Sequence, residues 1–220
     1  MKLYDTLNPL VSIVLPTYNR MGTLPRAINS VLKQTFTNWE LIIVDDGSTD
    51  ETFDLMNKYL TKNKRIKYLK HVNMKLPIAL NNGIAISCGN YITFLGSDDE
   101  YLSEHLQLRI DFMRQNPAID FIHGGLKIIG NPYVPDKNDT SKKIHLDKCV
   151  VGGTFFAKRE VFLKLNGFKQ LKYSEDSEFF ERAEKIYHIV KVDFPTYVYH
   201  RETEDSITNI LLKTNQSKTE

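Results

Sequence analysis

Short apolar runs and amphipathic segments alternate along the first half of the chain. The apolar runs are rich in β-branched and aromatic residues, which is typical of buried strands, and they lie at residues 11–15, 40–44, 65–70 and 90–95. Between the first two runs, one apolar stripe recurs at helical spacing through Leu24, Ala27, Ile28, Val31 and Leu32. This alternation predicts right-handed strand–helix–strand crossovers and a largely parallel sheet.

Two further helices are predicted between the later runs. Ser48 and Glu51 have the spacing of a capping box ahead of an apolar stripe that contains Phe53, Met56 and Leu60. The third helix has its stripe at Leu76, Leu80 and Ile84. The first strand is expected to stop at Pro16, which has no backbone N–H to donate.

The regular alternation of strands and helices ends after residue 99. Helices are expected at residues 102–115, 159–165 and 176–187, and strand-like stretches at residues 119–130, 150–158 and 188–200. The polar segment 131–143 contains two prolines and is expected to be a loop. Residues 212–220 are polar and are expected to fray.

Composition narrows the class of protein. The chain has 220 residues, of which 41% are hydrophobic and 25% are charged, as expected for a soluble globular protein. A net charge of +2 is too balanced to predict binding to nucleic acid. The two cysteines lack metal-type spacing and are expected to be buried thiols without a disulfide.

The sequence also predicts a cytoplasmic protein. No apolar run approaches the ~18 residues that a membrane span needs. The first ten residues lack the apolar core of a signal peptide. Peripheral membrane contact stays open at this stage.

Two aspartate pairs supply the first candidate chemistry. Asp45 and Asp46 follow the second apolar run, and Asp98 and Asp99 follow the fourth. The carboxyl ends of parallel strands lie on one edge of a sheet, where ligands bind in open α/β folds. Four carboxylates on one edge repel each other unless a cation or polar ligand lies among them. The pairs therefore indicate a site for a metal-bound phosphate ester.

The first two loop motifs each have a functional and a structural interpretation. Tyr18, in the segment Pro16-Thr17-Tyr18-Asn19, can stack on a base or sugar, or the segment is a plain turn with Asn19 capping a helix. Asp46 can accept hydrogen bonds from a base edge, with Gly47 allowing close backbone approach. The structural alternative is a turn before a capped helix, and the two interpretations are compatible.

The later acidic motifs are also open to two interpretations. Asp98 and Asp99 suit a hard divalent cation such as Mg²⁺ or Mn²⁺, or they begin a helix as caps. Glu175 and Asp176 are stabilised at a helix start by the helix dipole, or one of them is a general base. Taken singly, none of these motifs decides between its two interpretations.

Together and in this order, the motifs resemble the family 2 glycosyltransferases, which have the GT-A fold. The matching segments are VSIVLPTYN at 11–19, ELIIVDDGS at 40–48, GNYITFLGSDD at 89–99, and the pairs Gln34-Thr35, Asn82-Gly83, Gly152-Gly153, Gly167-Phe168 and Glu175-Asp176. The resemblance covers residues 9–207. It implies an α/β fold with Rossmann-like α/β/α layers, a mostly parallel central sheet and a smaller mixed C-terminal part.

The resemblance also implies a division of the chain and a reaction. A single domain is expected at residues 1–208, with a nucleotide-sugar-binding half at 1–99 and an acceptor-binding half at 100–208, followed by a polar tail at 209–220. The implied reaction is inverting transfer from a nucleotide-diphosphate sugar, with UDP expected, to a hydroxyl of a carbohydrate or lipid-linked acceptor. This places the protein in the synthesis of cell-surface polysaccharide or glycoconjugate.

Individual roles follow from the resemblance. The nucleotide-binding residues would be Pro16, Thr17, Tyr18, Asn19, Asp46, Asn82 and Asp98. Asp98 and Asp99 would match the metal-binding DXD motif for Mn²⁺ or Mg²⁺, and Asp176 would match the catalytic base. Glu175, His200 and Arg201 are additional candidates: His200 for the metal or diphosphate, and Arg201 for a phosphate. The alternative for His200 and Arg201 is a strand-end histidine beside a solvated arginine.

One departure from the family pattern motivates a second function. Many members have a third aspartate where this chain has Gly96. A nucleotide-sugar-binding module with weak catalysis is therefore an alternative. A receiver-like signalling domain is less favoured, because the first acidic pair follows the second strand and another follows the fourth. No G-x-G-x-x-G motif follows the first strand and no P-loop is present, which argues against a dehydrogenase and a P-loop enzyme.

Overall fold

The structure is a computed structural model that describes residues 9–203 and 205–216. Its strands are β1 (Val11–Thr17), β2 (Trp39–Asp45), β3 (Ile66–Lys70), β4 (Tyr91–Phe94), β5 (Glu100–Tyr101), β6 (Phe121–His123), β7 (Leu126–Ile129), β8 (Tyr133–Pro135), β9 (Lys143–His145), β10 (Phe156–Lys158), β11 (Ile189–Lys191) and β12 (Tyr197–His200). Its α-helices are α1 (Leu24–Leu32), α2 (Thr52–Leu60), α3 (Leu76–Ile86), α4 (His105–Gln115), α5 (Arg159–Lys164), α6 (Glu175–Ala183) and α7 (Ile207–Gln216). Two 3₁₀ turns cover Leu146–Lys148 and Gly152–Thr154.

A seven-stranded sheet forms the centre of the molecule. Its strand order is β11-β6-β10-β4-β1-β2-β3. All neighbours are parallel except β10, which runs antiparallel to both β4 and β6. A small sheet has the order β5-β12-β7, and β8 pairs with β9 in a separate hairpin. The prediction of a mostly parallel sheet with a smaller mixed C-terminal part is confirmed.

The core lies on both faces of the large sheet. Ile13 of β1 packs in a cluster with Leu24 of α1, Met56 of α2 and Leu106 of α4. The neighbouring Val14 points to the opposite face and packs in a cluster with residues of α3, α5 and α6. Because successive side chains of a strand alternate between faces, one buried strand builds both halves of the core. The result is the predicted α/β/α arrangement of three layers.

Pro16 does not stop β1, which continues to Thr17. The N–H of Leu95 donates to the carbonyl of Val14. The backbone N–H and C=O groups of every second residue of β1, counted from Val14 and including Pro16, therefore point toward β4. The pairing between β1 and β4 ends at Val14 and Phe94. The N–H that proline lacks would therefore point past the end of β4, and the ladder loses no hydrogen bond.

The predicted capping box is wrong. Helix α2 begins at Thr52, and its N-cap residue Glu51 makes no side-chain cap hydrogen bond. The Oγ of Ser48 instead accepts the backbone N–H of Asn19 at 2.9 Å. The N–H of Thr52 donates to Oδ1 of Asp50 at 3.2 Å. Ser48 therefore joins two loops, and Asp50 takes its expected place as acceptor of a backbone N–H at the start of α2.

Several expectations for the second half also change. The segment expected to be a loop contains β8 and most of its hairpin with β9. Residues 150–158 hold a 3₁₀ turn before the short strand β10. The expected polar tail is helical in α7 as far as Gln216, and residues 217–220 lie outside the described residues. Cys88 is exposed and Cys149 is half-buried, so the expectation of buried thiols is wrong, although both are free.

Within residues 9–203 and 205–216, no helix is long and apolar enough to cross a bilayer.

Candidate active site

The carboxyl ends of β1, β2 and β4 open into a cavity of about 800 Å³. This volume lies within the range of small-molecule sites in proteins. The loops after these strands, the start of α6, the β8–β9 hairpin and the start of α7 form its walls. Nine of the residues predicted for the site line it: Pro16, Thr17, Tyr18, Asn19, Asp46, Asp98, Asp99, Glu175 and Asp176. Most of the predicted residues therefore meet at one cavity.

The loop after β1 presents an aromatic ring to this cavity. Tyr18 is 45% exposed. The next residue, Asn19, adopts a left-handed backbone with φ of 51°. Its N–H donates to Oγ of Ser48, and its Oδ1 accepts the N–H of Thr49 at 2.8 Å. Asn19 thus ties together the loops after β1 and β2 and does not cap α1, whose N-cap residue is Thr23.

The two aspartates after β2 have different roles. Asp45 is fully buried, and its Oδ1 accepts the N–H of Ser48 at 2.7 Å while its Oδ2 accepts the hydroxyl of Tyr68. Burial and this hydrogen bond raise the pKa of Tyr68, which keeps it a donor. Asp45 therefore supports the turn after β2.

Asp46 holds the loop that follows β3. Its Oδ1 accepts the N–H of Met74 at 2.6 Å, and its Oδ2 accepts the N–H of Lys75 at 3.0 Å. The side chain lines the cavity and is 5% exposed as a residue. Oδ1 also lies 3.4 Å from Nδ1 of His71, whereas Oδ2 keeps a second lone pair that a ligand N–H can use.

The second acidic pair combines one restrained carboxylate with one open one. Oδ2 of Asp99 accepts the hydroxyl of Tyr197 at 2.5 Å, and Oδ1 accepts the N–H of His200 at 2.8 Å. Burial, reinforced by the charge of Asp98, raises the pKa of Asp99 to about 8. Burial also raises the pKa of Asp98, and no other described residue donates a hydrogen bond to its carboxylate.

These carboxylates fit a divalent cation that is completed by a ligand. Within the described ranges, no group of three or more His, Cys, Asp or Glu side chains could hold a metal alone. Mg²⁺ is commonly bound through one or two carboxylates together with substrate phosphates. Burial raises the pKa of both carboxyls although the charge of Arg26 lowers them, so a bound cation would further favour the ionised pair. The donor set therefore suits Mg²⁺ or Mn²⁺ arriving with a diphosphate.

Gly96 lies directly against the acidic pair. A Cβ at this position would lie 2.6 Å from Oδ2 of Asp99 and 3.2 Å from Oδ1 of Asp98. The N–H of Gly96 also donates to the hydroxyl of Tyr197 at 3.2 Å. In this arrangement a third aspartate would collide with the two that are present. Glycine is thus part of the local geometry of this chain.

Asp176 lies in the first turn of α6 and lines the same cavity. Its Oδ2 accepts the N–H of Gly152 at 2.9 Å, and its Oδ1 accepts the N–H of Ser177 at 2.7 Å. Burial nevertheless raises the pKa of Asp176, and burial with the charge of Asp176 raises the pKa of Glu175 to about 7. The preceding Ser174 has a strained, left-handed φ of 63°. A fixed carboxylate with a raised pKa has the properties of a general base.

The structure does not bring His200 or Arg201 to the cavity wall. Both ring nitrogens of His200 lie 3.1 Å from carboxylate oxygens, Nε2 from Glu100 and Nδ1 from Glu202. Only its backbone N–H reaches the acidic pair, through Asp99. The role expected for its side chain at the metal or diphosphate is not supported by this geometry.

Arg201 is 3% exposed, so the alternative of a solvated arginine is also wrong. Its guanidinium donates to Oδ1 of Asn209 at 2.7 Å and to the carbonyl of Tyr133 at 3.3 Å. These bonds join β12 to α7 and to the hairpin, and they leave the side chain outside the cavity wall.

Asn82 is the third predicted residue that does not line the cavity. It lies within α3, and its neighbour Asn81 makes the notable contacts of this region. The side chain of Asn81 donates to the carbonyl of Phe168 and accepts its N–H, both at 2.8 Å. The asparagine motif therefore joins α3 to the segment before α6.

The β8–β9 hairpin forms a wall that sequence reasoning missed. The hydroxyl of Tyr173 donates to the carbonyl of Pro135 at 2.7 Å. Arg201 donates to the carbonyl of Tyr133, and Lys137 forms an ion pair with Glu181 of α6. These three tethers hold the hairpin beside the helix that carries Asp176. Its polar, proline-containing sequence gave no strand signal.

Three cations in the cavity wall were also missed. Arg20 forms an ion pair with Asp205 and donates to its carbonyl at 2.9 Å, which links the loop after β1 to the start of α7. Lys75 and Lys148 line the cavity and make no ion pair with any described residue. The signal available for Arg20 was its place directly after the Tyr18-Asn19 motif.

Comparisons with known proteins agree with this geometry. The model of the family described as glycosyl transferase family 2 matches residues 12–183. An uncharacterized glycosyltransferase of Haemophilus influenzae is 36% identical over 181 residues, which cover 78% of this chain and 70% of that protein. WfgD of Escherichia coli, a UDP-Glc:α-D-GlcNAc-diphosphoundecaprenol β-1,3-glucosyltransferase, is 37% identical over 142 residues. That match covers 64% of this chain and 55% of WfgD.

Solved structures give an independent comparison of the fold. Residues 1–349 of Staphylococcus aureus TarS, crystallised with UDP, superimpose with a TM-score of 0.72 at 23% identity. The superposition covers 86% of this chain and 60% of the TarS chain. At this identity the likeness concerns the fold alone. The chain thus spans about half to two thirds of the length of WfgD and of that TarS fragment.

Proposed function

The chain belongs to glycosyl transferase family 2 and has the GT-A fold, and from this premise we propose that it catalyses an inverting sugar transfer. The donor in this proposal is a UDP-sugar, and the acceptor is a hydroxyl group of a carbohydrate or lipid-linked glycan. One observation carries the proposal: Tyr18, Asp98 and Asp176 line the same cavity. A ring for base stacking, a carboxylate for a cation and a proton acceptor thereby share one cavity, as a reacting donor and acceptor require.

The donor side of the cavity would bind the nucleotide. The exposed ring of Tyr18 stacks on the base, and Asp46 accepts an N–H such as N3–H of uracil through a free lone pair. Asp98 and Asp99 would hold Mn²⁺ or Mg²⁺, which when bound neutralises charge on the leaving diphosphate. Asp98 supplies the more open oxygen atoms, since both oxygens of Asp99 already accept hydrogen bonds.

Asp176 would act as the base. Its carboxylate takes the proton of the acceptor hydroxyl as that oxygen attacks the anomeric carbon. The bond from that carbon to the diphosphate oxygen breaks in the same displacement, which inverts the configuration. A single displacement requires no enzyme nucleophile, so the mechanism needs no serine or cysteine. The two backbone N–H bonds keep Asp176 oriented and leave a lone pair on each oxygen.

The relatives support the choice of substrates. TarS was crystallised with UDP, and WfgD uses UDP-glucose and a lipid-linked diphosphate acceptor. We extend these chemistries to this chain as proposals, because it covers only part of both proteins. A role in cell-surface polysaccharide synthesis, on the cytoplasmic side and in peripheral contact with the membrane, completes the proposal.

A nucleotide-sugar-binding module without turnover is the second candidate. This candidate was considered because Gly96 stands in place of a third aspartate. The space around Gly96 weakens this motive, because the two aspartates present occupy the position that a third side chain would need. The fixed geometry of Asp176 favours the enzyme.

The central experiment measures UDP binding by calorimetry with and without Mn²⁺, followed by assays with UDP- and GDP-sugars. We expect UDP to bind and to gain affinity from Mn²⁺, and UDP-sugars to release UDP in the presence of an acceptor. Absence of UDP binding under both conditions would refute the donor assignment. UDP binding without nucleotide release from any donor, in wild type and Asp176→Asn alike, would favour the binding module.

A further inference from the structure

We propose that Tyr197 is a positioning residue of this site, which orients Asp99 through its hydroxyl and supports the Asp176 wall through its ring. The inference rests on the transfer reaction proposed above. Tyr197 lies in β12 of the small sheet, is 2% exposed and belongs to none of the motifs that identified the family. Its position between two functional walls of the cavity is the reason for the proposal.

The hydrogen bonds of the Tyr197 hydroxyl have a defined direction. The N–H of Gly96 donates to this oxygen at 3.2 Å. The single hydroxyl proton is then directed to Oδ2 of Asp99, which lies 2.5 Å away. With the Gly96 N–H on one side of the oxygen, the geometry makes the Tyr197 hydroxyl the donor to the ionised Asp99 carboxylate.

Strand β12 restrains both oxygens of Asp99. Oδ1 accepts the backbone N–H of His200 at 2.8 Å, while Oδ2 accepts the Tyr197 hydroxyl. Two donors from one strand fix the plane of the carboxylate relative to the small sheet. The remaining lone pairs then point in directions that the strand sets, which is the task of residues that support metal ligands.

The ring of Tyr197 reaches the other wall. A Cβ on Gly153 would lie 2.4 Å from both Cζ and Oη of Tyr197, so the 3₁₀ turn Gly152–Thr154 packs directly on the ring. The N–H of Gly152 in that turn holds Oδ2 of Asp176 at 2.9 Å. One side chain therefore touches the support of the base and the acidic pair. Its hydroxyl serves the donor side, and its ring serves the base side.

Replacing Tyr197 by phenylalanine separates these two contributions. The ring that supports Gly153 stays, while Asp99 loses one donor and the N–H of Gly96 loses its acceptor. We expect Tyr197→Phe to weaken Mn²⁺ binding in the presence of UDP about 10-fold or more, a usual scale for partners of metal ligands. We expect KM for the donor to rise with it, and kcat at saturating donor and Mn²⁺ to change by less than about threefold.

Tyr101→Phe is the matched control. It also removes one buried hydroxyl from the small sheet, and that hydroxyl donates to the carbonyl of Phe94 at 2.6 Å without contacting the acidic pair. Thermal unfolding of both variants measures the structural cost of losing a buried hydroxyl. Tyr101→Phe should keep wild-type Mn²⁺ affinity, measured by electron paramagnetic resonance of free Mn²⁺ at fixed UDP.

Two further measurements keep the inference separate from the proposed reaction. In the background of Asp99→Ala, Tyr197→Phe should cause no additional loss of Mn²⁺ affinity, because the residue acts through Asp99. In ligand-free crystal structures, the Asp99 carboxylate should rotate in Tyr197→Phe and keep its position in Tyr101→Phe. Equal Mn²⁺ affinity in Tyr197→Phe and Tyr101→Phe overturns the inference. If wild type binds neither UDP nor Mn²⁺, the crystal structures decide, and an Asp99 carboxylate that keeps its position in Tyr197→Phe overturns the inference. Failure of wild type to bind UDP overturns the proposed function alone.

Discussion

The backbone N–H of Gly152 donates a hydrogen bond of 2.9 Å to Oδ2 of Asp176. The contact joins a 3₁₀ turn beside the central sheet to the first turn of α6, two elements that are distant in sequence. Burial raises the pKa of Asp176 and outweighs this bond and the charge of Lys137, which both lower it. The bond therefore orients the carboxylate without cancelling the raised pKa that the proposed base requires.

The first prediction tests this carboxylate. Asp176→Asn keeps the size of the side chain but removes the proton acceptor, so turnover should fall by about 10²-fold or more. UDP affinity should change little, because the proposed reaction assigns Asp176 to the acceptor hydroxyl and not to the nucleotide. Nucleotide release and calorimetry measure the two effects. The control is Asp54→Asn, at an exposed position of α2. Unchanged turnover in Asp176→Asn would show that Asp176 is not the base.

The second prediction concerns the open carboxylate. Asp98→Asn should reduce the gain in UDP affinity that Mn²⁺ provides by roughly 10- to 100-fold, since the variant loses the carboxylate that no other described residue engages. UDP affinity without cation should stay within a few fold of wild type. Calorimetric titrations of UDP at several Mn²⁺ concentrations measure both quantities. A full cation effect in the variant would assign the ion to other ligands.

The third prediction concerns Tyr18. Base–aromatic stacking is worth about 1–3 kcal/mol by alanine substitution, so Tyr18→Ala should weaken UDP binding by roughly 5- to 150-fold. Tyr18→Phe keeps the stacking surface and should bind UDP like wild type. Because Tyr18 is 45% exposed, neither variant should lower the melting temperature much. Equal UDP affinity in the alanine and phenylalanine variants would contradict stacking.

The fourth prediction concerns the departure from the family pattern. Gly96→Asp would place a side chain within 2.6 Å of Oδ2 of Asp99, so it should displace the acidic pair. We expect lower Mn²⁺-assisted UDP binding and a lower melting temperature. Gly96→Ala should also lower Mn²⁺-assisted UDP binding and the melting temperature, but to a smaller extent. A gain of affinity in Gly96→Asp would show that the family's third aspartate can be accommodated.

The fifth prediction links the pKa of Glu175 to stability. Its folded pKa is raised from 4.5 to about 7 by burial and by Asp176, so between these values the folded protein binds more protons than the unfolded chain. The free energy of unfolding therefore falls as pH rises from about 4.5 to 7. Glu175→Gln removes this loss and should be more stable than wild type above pH 7.

Glu178→Gln is the control with the opposite sign. The bonds of Glu178 to Arg182 and Lys169 lower its pKa against the effect of burial. Its ionised form stabilises the fold above pH 4.5, and the substitution should therefore destabilise the protein at neutral pH. Thermal unfolding at several pH values measures both variants. A Glu175→Gln protein that follows wild type across this range would contradict the assigned pKa.

The sequence predicted the elements whose side-chain period is clear. β1 to β4 and α1 to α3 follow apolar runs and stripes that local sequence determines. The sequence of the β8–β9 hairpin has no such period. Contacts from Tyr173, Arg201 and Glu181 hold the hairpin in place instead. Non-local contacts of this kind leave no trace in a local pattern.

His200 is one of three predicted site residues that do not line the cavity, and its case has a simple cause. Strand position was read correctly at β12, but side-chain direction was not. Alternation places Tyr197 and Tyr199 on the cavity side, whereas the side chain of His200 points to the opposite face, between Glu100 and Glu202. Applying the period of two to this strand would have selected the tyrosines.

The tethers of the β8–β9 hairpin have a consequence for how this protein can diversify. Two of the three tethers end on backbone carbonyls of the hairpin, those of Tyr133 and Pro135, and the third is a single ion pair at Lys137. A carbonyl is offered by every residue type, so the hairpin can exchange most of its side chains and still be held beside α6. The hairpin wall can therefore change its surface while the carboxylates of the cavity stay unchanged, which in the proposed reaction would alter the choice of acceptor.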